Sequence, residues 1–106
     1  MMNQECIDAC QACVLACEEC ATACLTEEDV KMMVNCIKLD RSCADLCALC
    51  ARETARNSEF AAALCGVCAQ ACDACGEECS KHEAAHCQKC ASACRRCAEA
   101  CRKMAA

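Results

Sequence analysis

A chain of 106 residues can close one small core but not two, so a single domain over residues 1–106 is expected. Cysteine supplies 20 of those residues while Trp and Tyr are absent and Phe occurs once, so most of the apolar interior must be sulfur. The net charge of −5 gives no basic footprint for nucleic acid, and no apolar run is long enough to cross a bilayer, so neither is an expected partner.

The first predicted helix, residues 3–24, carries Cys6, Cys10, Cys13, Cys17, Cys20 and Cys24 at steps of 4, 3, 4, 3 and 4. Alternating steps of three and four average 3.5 residues, the a/d seam of a left-handed helical bundle. A strand would need a period of two. Ala9, Ala16 and Ala23 flank the stripe, small enough for a neighbouring helix to approach closely, and Leu15 falls on the outer face.

The second predicted helix, 27–54, is expected to open on a capping box of Thr26 and Asp29. It carries Cys36, Cys43, Cys47 and Cys50, with Asp40 on the rung where a further cysteine would stand. A buried carboxylate needs a partner, so a local polar contact to Asp40 is expected. Met32, Ile37, Leu39 and Leu46 lie beside this seam, for packing within the bundle or, with Leu15, for a subunit contact.

Asn57 and Ser58 are N-cap candidates for the third helix, 59–79, which carries Cys65, Cys68, Cys72, Cys75 and Cys79. Gly66 and Gly76 lie inside it, where Gly costs about 1 kcal/mol relative to Ala, and close helix contact is the expected reason. Ser80 with Glu83 forms a capping box for the fourth helix, 83–103, which carries Cys87, Cys90, Cys94, Cys97 and Cys101 beside Ala91, Ala93, Ala98 and Ala100. Short connections make sequential helices antiparallel. The expected fold is all-α, an antiparallel up-down-up-down four-helix bundle with a cysteine-lined core.

The helices contain seven C-x2-C and eight C-x3-C pairs. Such partners lie one above the other with Cβ atoms about 5–6 Å apart. Two thiolates so placed can turn toward one another and hold a metal in linear two-coordination, a geometry that Cu(I) accepts readily and with its preferred class of ligand. Thiolates buried without cations would be costly. If each sulfur bridges two ions and each ion has two sulfurs, roughly one Cu(I) per cysteine leaves the core neutral.

Other uses of cysteine fit less well. Leu and Ala pack helices without risk of oxidation, so a purely structural sulfur core has no advantage. Thioredoxin-like chemistry places C-x-x-C at a βα turn, and iron–sulfur ferredoxins use a clustered run with a following Pro, which this chain lacks. A disulfide-stapled helical scaffold needs fewer cysteines than five or six per stripe. Zinc or cadmium sequestration stays open, although independent four-thiolate sites for a divalent ion would each keep two negative charges.

With CIDAC, CVLAC and CATAC in the first helix, CAQAC in the third, and CASAC and CAEAC in the fourth, the whole chain resembles the bacterial copper storage proteins, the Csp family of cysteine-rich four-helix bundles. The resemblance implies Cu(I) storage or buffering on core thiolates, a homotetramer and no catalytic turnover. The run Met1-Met2-Asn3-Gln4-Glu5-Cys6 has neither the basic nor the apolar part of a secretion signal, so the chain is similar to the cytosolic branch and a cytoplasmic location is expected. Asp40 departs from the even pattern.

At one end of the expected bundle Cys24, Met33, His82 and Cys87 gather, with His86 nearby. His82 continues the stripe three residues beyond Cys79, and Met33 lies three before Cys36. Imidazole and thioether both bind copper, so His82, His86 and Met33 are candidate ligands at a mouth where ions delivered by a small thiol carrier or a copper chaperone could enter. Solvation of the histidines and simple packing of Met33 are the alternative readings. Met2 and Met104 lie at the opposite end.

Overall fold

The 3.5-residue stripes wind into four α-helices, α1 (Met2–Cys24), α2 (Val34–Ala55), α3 (Ala61–Ser80) and α4 (Ala85–Ala105), with a short 3-10 helix at Val30–Met33 ahead of α2. The computed structural model describes residues 2–105; Met1 and Ala106, the ends of the expected domain, lie outside the described residues. The bundle measures 44 × 17 × 17 Å. Each helix packs on two neighbours, α1 on α2 and α4, and α3 on α2 and α4. Pairings of Cys6 with Cys101 and Cys20 with Cys87, and of Cys36 with Cys79 and Cys50 with Cys65, run in opposite chain directions, so these neighbours are antiparallel.

All 20 cysteines are buried, and the remaining core is largely alanine. Ala9, Ala16, Ala91, Ala98 and Ala100 are buried beside the seams, while Ala23 and Ala93 are half-buried. Gly76 supports the expectation of close contact. A Cβ there would come within 3.2 Å of the Cys94 Cβ, whereas one at Gly66 would meet Ala105 at an ordinary 3.9 Å.

The helix ends differ from the sequence expectation. The second helix was expected from residue 27, but the chain turns through 25–29, passes through the 3-10 helix and begins regular α structure only at Val34. Thr26 forms no capping box. Its hydroxyl donates back to the Ala23 carbonyl at 2.8 Å, and Asp29 precedes the 3-10 helix without a side-chain bond. Asn57 does not start α3 but follows α2 with φ 54°, the left-handed conformation that Asn tolerates after a helix end. Its amide bonds to the Thr54 carbonyl and that of Ser58 to the Glu53 carbonyl. Ser58 is not the N-cap of α3 either; Phe60 holds that position without a side-chain cap, and the Ser58 oxygen accepts from the Phe60 amide at 3.2 Å in the turn before it. Ser80 is the last residue of α3, its hydroxyl donating to the Glu77 carbonyl rather than opening α4. For Thr26 and Ser80 the hydroxyl found a nearer backbone carbonyl than the helix start it was assigned to.

Candidate metal centre

Steps along one helix are matched by equal steps along its neighbour, so the sulfurs meet rung by rung. Across α1 and α4 the pairs are Cys6–Cys101 at 3.9 Å, Cys10–Cys97 at 3.6 Å, Cys13–Cys94 at 3.8 Å, Cys17–Cys90 at 3.7 Å and Cys20–Cys87 at 3.9 Å. Across α2 and α3 they are Cys36–Cys79 at 3.3 Å, Cys43–Cys72 at 3.6 Å, Cys47–Cys68 at 3.5 Å and Cys50–Cys65 at 3.4 Å. Along single helices the close contacts are C-x3-C pairs, such as Cys13–Cys17 and Cys97–Cys101, each at 3.9 Å. Cys47 also reaches Cys97 at 3.8 Å, joining the two ladders through the middle of the core.

This geometry makes one connected body of sulfur. Four-thiol groups with all sulfurs within 4.8 Å recur along it, among them Cys6/Cys50/Cys65/Cys101, Cys13/Cys47/Cys72/Cys97 and Cys17/Cys75/Cys90/Cys94. An ion between two thiolates needs its sulfurs about 4.6 Å apart, taking a metal–thiolate bond of about 2.3 Å. The free thiols stand closer, so small rotations about Cα–Cβ would admit ions without moving helices. Burial pushes the Cys65 and Cys87 thiols up to about 11 and raises Cys24 as well, because a lone thiolate in this interior lacks solvation. At neutral pH these three thiols are therefore protonated.

Asp40 has the polar contacts expected of it. One carboxylate oxygen accepts from Cys75 and Cys90 at 3.2 Å and from Cys79 at 3.4 Å, and the other from Cys36 at 3.8 Å. The residue is fully buried, and that burial, followed by the charge of Cys90, raises its carboxyl to about 8.

The structure divides the two histidines. His86 turns inward, its Nδ1 3.5 Å from the sulfurs of Cys20 and Cys87 and 3.9 Å from Cys24, while Nε2 contacts the Glu27 carboxylate at 2.9 Å. When Nε2–H donates to that carboxylate, Nδ1 keeps its lone pair facing the sulfurs, the usual support for a metal-binding imidazole. His82 lies beyond the end of α3, so it does not extend the stripe, and its Nε2 sits 2.9 Å from Glu78. It lines a surface hollow with Glu27, Asp29, Met32 and Glu83, while Met33 is buried at the inner edge. At the far end Met104 packs partly against the core and Met2 is exposed.

One seam residue escaped the sequence reading. Thr54 is 1% exposed, with its hydroxyl 3.7 Å from the Cys65 sulfur and 4.0 Å from Cys50. The signal was present. Steps of 4, 3, 4, 3 and 4 from residue 36 run through Asp40 and the α2 cysteines to Thr54, repeating the pattern of α1.

The family pattern described as Csp, copper storage protein, matches residues 1–106. The Cu(I)-bound copper storage protein BsCsp3 shares 48% identity with this chain over the full length of both, at a TM-score of 0.95. Apo-Csp3 from Bacillus subtilis, also 48% identical, superposes at 0.90 over 97% of this chain and 98% of its own. A cytosolic copper storage protein from Streptomyces lividans, loaded with five coppers, is 38% identical at a TM-score of 0.95, covering 98% of this chain and 92% of its own. Comparison with curated protein sequences gives no match.

Proposed function

We propose that this chain, which belongs to the copper storage protein family, stores Cu(I) along its whole sulfur seam, on all 20 cysteines, at roughly one ion per thiolate. The observation that carries the reading is the continuity of the seam. Every cysteine is a buried free thiol, and the rungs connect from Cys6/Cys101 at one end to Cys24/Cys36 at the other. A disulfide scaffold would spend these sulfurs on each other, whereas here they stand 3.3 Å or more apart.

Ions enter at the His86 end in this reading. Nδ1 of His86 is the one nitrogen of the two histidines that faces sulfur, and Met33 adds a thioether nearby. A carrier thiolate on the ion is exchanged for Cys24, Cys20 or Cys87, and the displaced proton leaves with the carrier or to water. The carrier is a small thiol or a copper chaperone in the cytosol. The protein binds and releases ions without turning over a substrate. Homotetramers form through the outer face of α1 and α2, where Leu15 is exposed above a hollow floored by Val14, Ala48 and Ala51.

Anaerobic titration of fully reduced protein with Cu(I), against a strong competing chelator, tests the proposal. Saturation near the thiol count is expected. Saturation after a few ions would sink it and leave a carrier or sensor instead.

A further inference from the structure

The distal end of the seam finishes differently from the end at His86, and the residue responsible is Thr54. A helical threonine commonly turns its hydroxyl to the carbonyl one turn back, which satisfies it locally. Here the hydroxyl meets the sulfurs of Cys50 and Cys65, and it does so in full burial, where an unpartnered hydroxyl would be costly. Those two sulfurs stand 3.4 Å apart and belong to the terminal group Cys6/Cys50/Cys65/Cys101.

An alcohol oxygen is a hard, neutral donor and does not compete with thiolate for a soft monovalent ion. Thr54 is therefore no ligand, although it occupies a ligand's rung. Its use follows from what the neighbouring sulfurs become on loading. A thiolate accepts hydrogen bonds but donates none, so once Cys50 and Cys65 hold ions the hydroxyl proton can only point at them. A hydrogen bond to a charged partner is about twice as strong as a neutral one, so the contact strengthens as copper arrives.

We propose that Thr54 is a positioning residue for the distal thiolate ring. Its single hydroxyl proton is donated to the Cys65 thiolate, the nearer at 3.7 Å, with Cys50 alongside at 4.0 Å, holding the pair toward the bundle axis and compensating charge where the seam runs out of sulfur. The inference rests on the reading that the core stores Cu(I), and it adds a residue outside the ligand set that sets how tightly the terminal ions are held.

The test uses the full-length protein and three variants under anaerobic chelator competition. Thr54→Val keeps the shape and removes the hydroxyl, Thr54→Ser restores a hydroxyl, and Thr54→Cys places a sulfur on the same rung. For Thr54→Val, one or two equivalents of Cu(I) should bind about tenfold more weakly, the loss of one charge-assisted hydrogen bond. Thr54→Ser should recover wild-type affinity, and Thr54→Cys should raise capacity by about one ion, as neutrality of the core requires. The metal-free melting temperature of Thr54→Val should match or exceed that of the wild type, which separates this role from simple packing. Equal copper affinity in wild type and Thr54→Val, or weakening that Ser does not rescue, would overturn the assignment. Wild type that saturates at a few ions would instead overturn the storage reading itself.

Discussion

The two ends of α2 carry different oxygens on one seam of sulfur. Toward the loop end the oxygen on the seam is Asp40, an ionisable carboxyl contacted by four thiols, and the neighbouring mouth offers the Nδ1 of His86. Toward the distal end the oxygen is Thr54, neutral and close to two thiols, with no histidine on the adjoining helix ends. In the proposed reading the end with an imidazole backed by Glu27 is the one for exchange, since imidazole binds copper more weakly than thiolate and can hand an ion on. An end that stops on a hydroxyl is equipped to hold. Regular cysteine spacing therefore does not make the two ends of the bundle chemically alike.

The two oxygens differ most in their response to pH. The Asp40 carboxyl titrates near 4 in an unfolded chain and at about 8 in the fold. Below pH 4 it is protonated in both states and its contribution to stability is complete. Between about 4 and 8 the unfolded chain releases the proton while the fold keeps it, so stability of the metal-free protein falls as pH rises. Denaturant titrations across that window should show a loss on the order of several kcal/mol. Asp40→Asn should flatten most of the slope, and Thr54→Val should leave it intact. A wild-type profile without slope over this range would remove the distinction between the two oxygen rungs.

Loading kinetics sharpen the same contrast. His86→Ala should slow Cu(I) uptake about tenfold, the scale of one lost metal-ligand support, while final capacity changes by no more than one ion. The rise of thiolate-to-copper absorbance after rapid mixing measures this. Thr54→Val should load at the wild-type rate, and equal slowing by both substitutions would contradict an exchange end and a holding end.

The smallest effect compares the two glycines of α3. Gly66→Ala in the distal half meets only an ordinary contact and should stabilise the metal-free protein by about 0.5–1 kcal/mol through helix propensity. Gly76→Ala in the loop half would press its Cβ toward the Cβ of Cys94 and the carbonyl of Ala91, atoms that move only if α4 moves. It should destabilise by about 1 kcal/mol despite the same gain in propensity. Thermal melts of the two variants should shift in opposite directions.

Local periodicity is enough to say which face of each helix is inward. A 3.5-residue period cannot be satisfied by a strand, and a stripe of cysteines flanked by alanines and backed by charge can only turn its sulfurs away from water. The same period reached Thr54, but a threonine after Cys50 reads as an ordinary helix end until burial shows that it fills a rung. Register and the use of the polar ends come from packing between helices. Nothing local tells Cys36 to meet Cys79 at 3.3 Å, because that depends on how the 56–60 turn sets α2 against α3. Nothing local sends His86 inward and His82 to Glu78, because each imidazole goes where a carboxylate and the end of a helix place it. Helix period is written in neighbouring residues, whereas register and side-chain pairing are set by contacts distant in the chain, which form only when all four helices close together.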